Sequence, residues 1–166
     1  TVEALVQACP AVDPALVEQH LARLDERYFE SFEPAQIARH LEALSRLTPE
    51  RPVEALIDFP REGEAECTVL AFDYPGEFSL IAGVLAAMGL EIEAGDVFTY
   101  ERPAEPETRP TPGLRPRPSG ETDALRRRRI IDRFAGKLAA AEPVEAWAEE
   151  LRRRLHDAVS MLEDGD

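Results

Sequence analysis

Lysine is almost missing from this chain of 166 residues: Lys137 stands alone among 19 basic side chains, set against 33 carboxylates. The net charge of −14 argues against a general nucleic-acid binder, because neutralising phosphates takes a surplus of Lys and Arg. Cysteine is also scarce. Cys9 and Cys67 make neither a disulfide framework nor a zinc site, and Cys67 reads as a small buried hydrophobe. That usage points to a reducing, cytoplasmic compartment. No apolar run reaches the length of a membrane span, and no basic and apolar leader opens the chain. The chain starts at Thr1 rather than Met, which suggests a piece of a larger protein.

Catalytic signatures are missing too. There is no G-x-G-x-x-G or Walker sequence, so no nucleotide site is encoded, and no serine lies in a G-x-S-x-G context. His20, His40 and His156 fall on separate helical stretches without metal-ligand spacing, and His40 reads as a packing or capping residue. These absences argue against an enzyme and against any bound cofactor.

What is present centres on residues 66–100. Cys67 to Phe72 is an apolar run of β-formers, broken by the turn residues Asp73-Tyr74-Pro75-Gly76. Phe78, Ile81, Leu85 and Met88 recur at helical spacing, and Gly89 suits the left-handed position that ends a helix. Leu90 and Ile92 resume the period-two alternation of a strand. The spacing predicts strand, tight loop, helix, strand. Pro75 presets φ, Gly76 lets a ligand approach the backbone, and the next helix start directs N–H groups at the same spot. Asp73 is suited either to hold a ligand's ammonium or to cap the loop, the role turn aspartates usually take.

Upstream, a short helix ends before Pro10, and Asp13-Pro14 begins another, with Val17, His20, Leu21 and Leu24 on a face continuing toward Tyr28. Pro34 opens a further helix with Ile37, Leu41 and Leu44 inward. Residues 1–50 therefore read as a small helical segment that must pack on the rest of the chain. Val53–Phe59 reads as a strand joined by a hairpin loop to Ala65–Phe72. Residues 101–125, with six prolines and no periodicity, read as a disordered insertion. The run Arg126–Arg129 reads as a solvated stretch at a strand entrance, with Glu62–Glu66 as an acidic partner. From Pro143 a last helix carries Val144, Trp147, Leu151, Leu155 and Leu162 on one face, with Trp147 in the core.

Asp73-x-Pro75-Gly76-x-Phe78, Ile81-Ala82-Gly83-x-Leu85 and Gly89-Leu90-x-Ile92 together resemble the first half of an ACT domain. Arg129-Ile130-Ile131-Asp132-Arg133-Phe134 is similar to that family's third strand. Within the family, the chain resembles the C-terminal ACT modules of bacterial uridylyltransferases that modify the PII signal protein. Ser31-Phe32-x-Pro34-x-x-Ile37-Ala38-Arg39-His40-Leu41 is similar to the helical segment preceding those modules.

The resemblance implies an α+β, ferredoxin-like ACT sandwich over residues 51–166, with a four-stranded antiparallel sheet and two helices. Too few residues come after the last helix to make a strand, so the expected order is permuted, ββαββα, with residues 53–59 in the fourth strand's usual place. It also implies a regulatory module that binds an amino acid such as glutamine and pairs with a second ACT domain, in cis or as a homodimer. Asp73, Tyr74, Pro75, Gly76, Glu77 and Phe78, with Gly89, Leu90 and Ile92, are the expected ligand-binding residues. Two positions depart from the family. Glu77 stands where many members carry a neutral residue, and a carboxylate there would repel a ligand carboxylate. Gly95 lacks a side chain that other members use, and marks a β-bulge or a close backbone approach. The alternative reading is a ligand-free dimerisation or docking module.

Overall fold

The computed structural model of the chain describes residues 2–101, 127–139 and 143–165. All but Glu101 of the expected insertion lies outside the described residues. Glu101 itself is tied to the helical segment: its N–H donates to the Arg23 carbonyl at 2.8 Å, and Arg23 Nε donates to its carbonyl at 2.7 Å.

The order is α1 (Val2–Ala8), α2 (Pro14–Arg23), α3 (Glu26–Ser31), α4 (Pro34–Ser45), β1 (Val53–Asp58), β2 (Glu64–Phe72), α5 (Glu77–Ala87), β3 (Leu90–Thr99), β4 (Arg129–Leu138) and α6 (Val144–Asp164). Helix α2 starts where Asp13 accepts the Ala15 N–H at 2.9 Å, with Pro14 in the first turn. The apolar face expected to run on to Tyr28 is divided instead. Leu24 is extended, and the Asp25 carboxylate accepts the Tyr28 N–H at 3.2 Å, starting α3 afresh. A short acceptor beside its own backbone competes with helix continuation, and here it prevails.

The four strands form one antiparallel sheet in the order β1-β2-β4-β3, consistent with a ferredoxin-like fold. β1 lies against β2 with Val53 opposite Ala71 and Asp58 opposite Glu66. Helices cover both faces. Odd-numbered residues of β2, among them Val69 and Ala71, meet Ile81 and Leu85 of α5 and Leu151, Leu155 and Val159 of α6. Leu70 and Phe72 face the other way, onto Val17, Tyr28, Phe32, Leu41 and Leu44 of the N-terminal helices. The helical segment and the sheet thus share a core, which is how a segment too small to bury enough surface alone is held.

β3 changes sides partway along. Ile92 pairs with Gly136 and Ala94 with Ala135, so Glu93 is the extra residue of a bulge. Before it, Leu90 packs toward α5 and α6; beyond it, Phe98 and Tyr100 pack toward the N-terminal helices. The one-residue slip exchanges the faces of the whole strand end. Gly136 makes this approach possible, because a Cβ there would lie 1.9 Å from the Glu91 carbonyl oxygen. Gly95, expected to mark a bulge or a close backbone approach, lies two residues beyond the bulge, and a Cβ there would make only ordinary contact, 3.7 Å from the Phe78 ring and 3.9 Å from the Arg133 carbonyl.

Between helices and sheet runs a buried polar chain. The Tyr100 hydroxyl lies 2.6 Å from His20 Nδ1, His20 Nε2 lies 2.9 Å from the Tyr28 hydroxyl, and that hydroxyl lies 2.6 Å from His40 Nδ1. With both imidazoles neutral, every bond can point one way, each hydroxyl donating to the next ring. Burial holds them neutral, lowering His20 to about 3 and His40 to about 4. His40 is therefore a packing histidine inside a satisfied network.

Candidate functional site

The corner between β2 and α5 is built by three residues with separate tasks. The Asp73 N–H donates to the Arg128 carbonyl at 2.8 Å, closing the end of the β2–β4 ladder. Gly76 adopts φ 76°, a conformation costly for a residue with a Cβ, and becomes the N-cap of α5. The Glu77 carboxylate turns back over the loop and accepts the Tyr74 N–H at 2.9 Å. Capping by a loop aspartate, expected of Asp73, is thus carried out by Glu77. The Asp73 carboxylate instead pairs with the Arg128 guanidinium at 3.2 Å.

This corner opens into a cleft of about 300 Å³, lined by residues 73–79 together with Val97 and Thr99 of β3 and Ile130 and Asp132 of β4. That volume matches a ligand of few heavy atoms. Six of the expected residues, Asp73 to Phe78, line it. Gly89, Leu90 and Ile92 do not: they sit at the other end of β3, where Leu90 pairs with Leu138. Leu90 and Val97 lie about 23 Å apart along an extended strand. The glycine and the two aliphatics belong to the helix end and the core.

Asp132 is the site residue that strand patterning does not reveal. It lies on the α5-facing side of β4 between Ile130 and Phe134, where alternation predicts an apolar residue. It is 2% exposed and Glu77 4%. Burial raises Glu77 to about 8, against the lowering effect of the Tyr74 N–H bond and with the Asp132 and Asp73 charges adding to the rise; burial, followed by Asp73, raises Asp132 to about 7. One oxygen of each, Glu77 Oε1 and Asp132 Oδ1, is buried without a hydrogen-bond partner. Among the described residues, no group of His, Cys, Asp and Glu is placed to hold a metal ion.

The rim combines apolar surface with fixed charge. Phe78 stacks on Phe134 with ring centroids 5.2 Å apart and is still 41% exposed, near the 42% exposed Val97. On the other side, the Arg127 guanidinium lies 4.1 Å over the Phe72 ring, donates to both Glu163 oxygens at 2.8 and 3.1 Å, and donates to the Tyr74 hydroxyl at 3.1 Å. The Tyr74 hydroxyl also donates to Glu163, so loop, β4 entrance and α6 end are joined. Arg127 and Arg128 are therefore engaged by Glu163 and Asp73, not by Glu62–Glu66, and Arg129 is buried, so these three are not a freely solvated run; Arg126 lies outside the described residues.

No family model matches the chain, and no solved structure matches it. A stretch of 90 residues, 52% of the chain, is 38% identical to the bifunctional uridylyltransferase/uridylyl-removing enzyme of Azospirillum brasilense. Over that stretch the two proteins are related. The match spans 10% of the length of that enzyme, so the chain corresponds to a small region of it. No helix among the described residues is long and apolar enough to cross a membrane.

Proposed function

We propose that this chain is a regulatory, ACT-like module of a larger nitrogen-metabolism protein resembling the uridylyltransferases. It binds a small amino acid such as glutamine at the Asp73–Phe78 corner and changes the activity of a catalytic domain elsewhere in the cytoplasmic parent protein. The observation that carries this reading is the corner itself: an Asp-x-Pro-Gly loop, with Gly76 left-handed, opening a ligand-sized cleft at the start of α5. The strand order supports it, since β1 occupies the edge that a C-terminal strand would fill in the unpermuted ACT order. The similarity to a small part of a bifunctional uridylyltransferase gives the context, a large enzyme of which a non-catalytic module would be one region. Regulation then works by linkage: a ligand that prefers one arrangement of paired modules shifts the population toward it. The test is calorimetry with each of the twenty amino acids at millimolar concentration. Saturable heat with at least one supports sensing, and none with any of them rejects it.

A second reading, a ligand-free docking or dimerisation module, draws on the buried Glu77 carboxylate at the corner and on the exposed pair Phe78 and Val97. The inner sheet face lends it nothing, because α1–α4 cover that face. Sedimentation at high concentration separates the two: a monomer that binds an amino acid fits sensing, and a dimer indifferent to every amino acid fits docking.

A further inference from the structure

We propose that the cleft receives its ligand ammonium-first, with Glu77 Oε1 and Asp132 Oδ1 as acceptors for a primary ammonium group. The inference rests on the ligand-binding reading of the corner and adds to it which end of the ligand goes inward. Glu77 on α5 and Asp132 on β4 line one cleft, and one carboxyl oxygen of each is buried without a hydrogen-bond partner. A buried acceptor left unpaired is unfavourable, and the native fold keeps two of them at one site. The nearby cation, Arg128, is engaged by Asp73 at the rim, while Arg127 is engaged by Glu163. A carboxylate entering this floor would meet like charge on Asp73, and on Glu77 and Asp132 wherever they are ionised. An ammonium group offers three N–H donors and the opposite charge. A divalent metal is disfavoured because no set of three ligating side chains is assembled among the described residues.

The floor carries protons when empty near neutrality, with Glu77 at about 8 and Asp132 at about 7. An incoming ammonium therefore displaces protons, and affinity rises with pH. A site built for a ligand carboxylate would behave in the opposite sense, weakening as these groups ionise.

The test is calorimetry on the full chain at pH 6.5 and pH 8.5, with the twenty amino acids, n-butylamine, cadaverine, calcium and magnesium as probes. Each amino acid that binds is retested as its N-acetyl form and as its decarboxylated amine. The expected result is retained binding by the amine, loss of at least tenfold for the N-acetyl form, and severalfold tighter binding at pH 8.5. Glu77→Gln and Asp132→Asn should each lose about tenfold while melting no lower than the parent, since each removes a buried ionisable group. Amines binding where no amino acid does would sustain the ammonium site and sink amino-acid sensing. An amino acid bound equally well when N-acetylated, or by both variants, would overturn the ammonium site and leave sensing intact. Silence from every probe rejects both, and saturable heat from calcium or magnesium alone would replace the ammonium with a metal.

Discussion

Tyr74 donates its backbone N–H to Oε2 of Glu77 at 2.9 Å, while Oε1 of the same side chain is buried and has no partner. One oxygen of the carboxyl closes the loop and the other makes no hydrogen bond. Glutamine keeps the accepting oxygen and removes the ionisable group. Because the folded pKa is raised from 4.5 to about 8, the stabilising effect of the protonated form is complete below about pH 4.5 and is lost as pH rises through about 8. Glu77→Gln is expected to unfold at higher urea than the parent at pH 8.5, by on the order of a few kcal/mol, with little gain at pH 5. Urea titrations at the two pH values check this, and equal gains at both would contradict it.

Acid acts on the opposite side of the molecule. His20 and His40 have folded pKa values lowered to about 3 and about 4, so their contribution is present above about pH 6.5 and is lost as pH falls toward those values. Between about pH 4.5 and 6.5 this slope opposes that of Glu77 and Asp132, each group counting about 1.4 kcal/mol per pH unit. A stability plateau is expected there, with decline on both sides. Tyr28→Phe removes the hydroxyl bonded to both imidazoles. It should cost about 1–3 kcal/mol for each group left unpaired. Thermal melts across pH 3–9 measure both effects.

The order of strands and helices from Val53 onward was legible because each element carries its own period and its own breaker. Asp13-Pro14, Pro34 and Gly89 mark boundaries whose backbone geometry is dictated locally. The division at Leu24 was not legible, since Asp25 and the apolar face around it give opposing local signals and packing decides between them. Nor was the end of β3, where a bulge at Glu93 reverses the faces of Phe98 and Tyr100 while the alternation in the sequence runs on unmarked. The loop residues 73–78 could be read as a corner from Pro75 and Gly76 alone. Asp132 could not be read as part of it, because partnership across the sheet between α5 and β4 is a tertiary fact. The signal that was available is an aspartate inside the apolar run Ile130-Ile131-Asp132, where a charged residue is out of place.

The bulge makes a steric prediction. Gly136→Ala places a methyl group 1.9 Å from the Glu91 carbonyl, which only a shift of backbone can relieve. Destabilisation of about 3 kcal/mol or more is expected, or failure to fold. Gly95→Ala meets its neighbours at 3.7 Å and beyond and should be tolerated within about 1 kcal/mol. Chemical denaturation of the two variants side by side distinguishes them.

Arg127 holds the rim from below, stacked on Phe72 and paired with Glu163. Arg127→Ala should cost about 1–2 kcal/mol, since it removes a cation–π contact and a partly buried, two-pronged ion pair. A double-mutant cycle with Glu163→Gln should return a coupling of about 1 kcal/mol. A coupling near zero would show that stacking on Phe72 accounts for the loss by itself.

Amide chemical-shift mapping during a titration with each of the twenty amino acids at pH 8.5 tests the binding corner most directly. The expected outcome is saturable movement of the Tyr74, Gly76, Glu77, Phe78 and Asp132 signals with at least one of them, while Gly89, Leu90 and Ile92 stay still. Saturation that moves residues elsewhere and leaves that corner unchanged, or no movement with any amino acid, would contradict it.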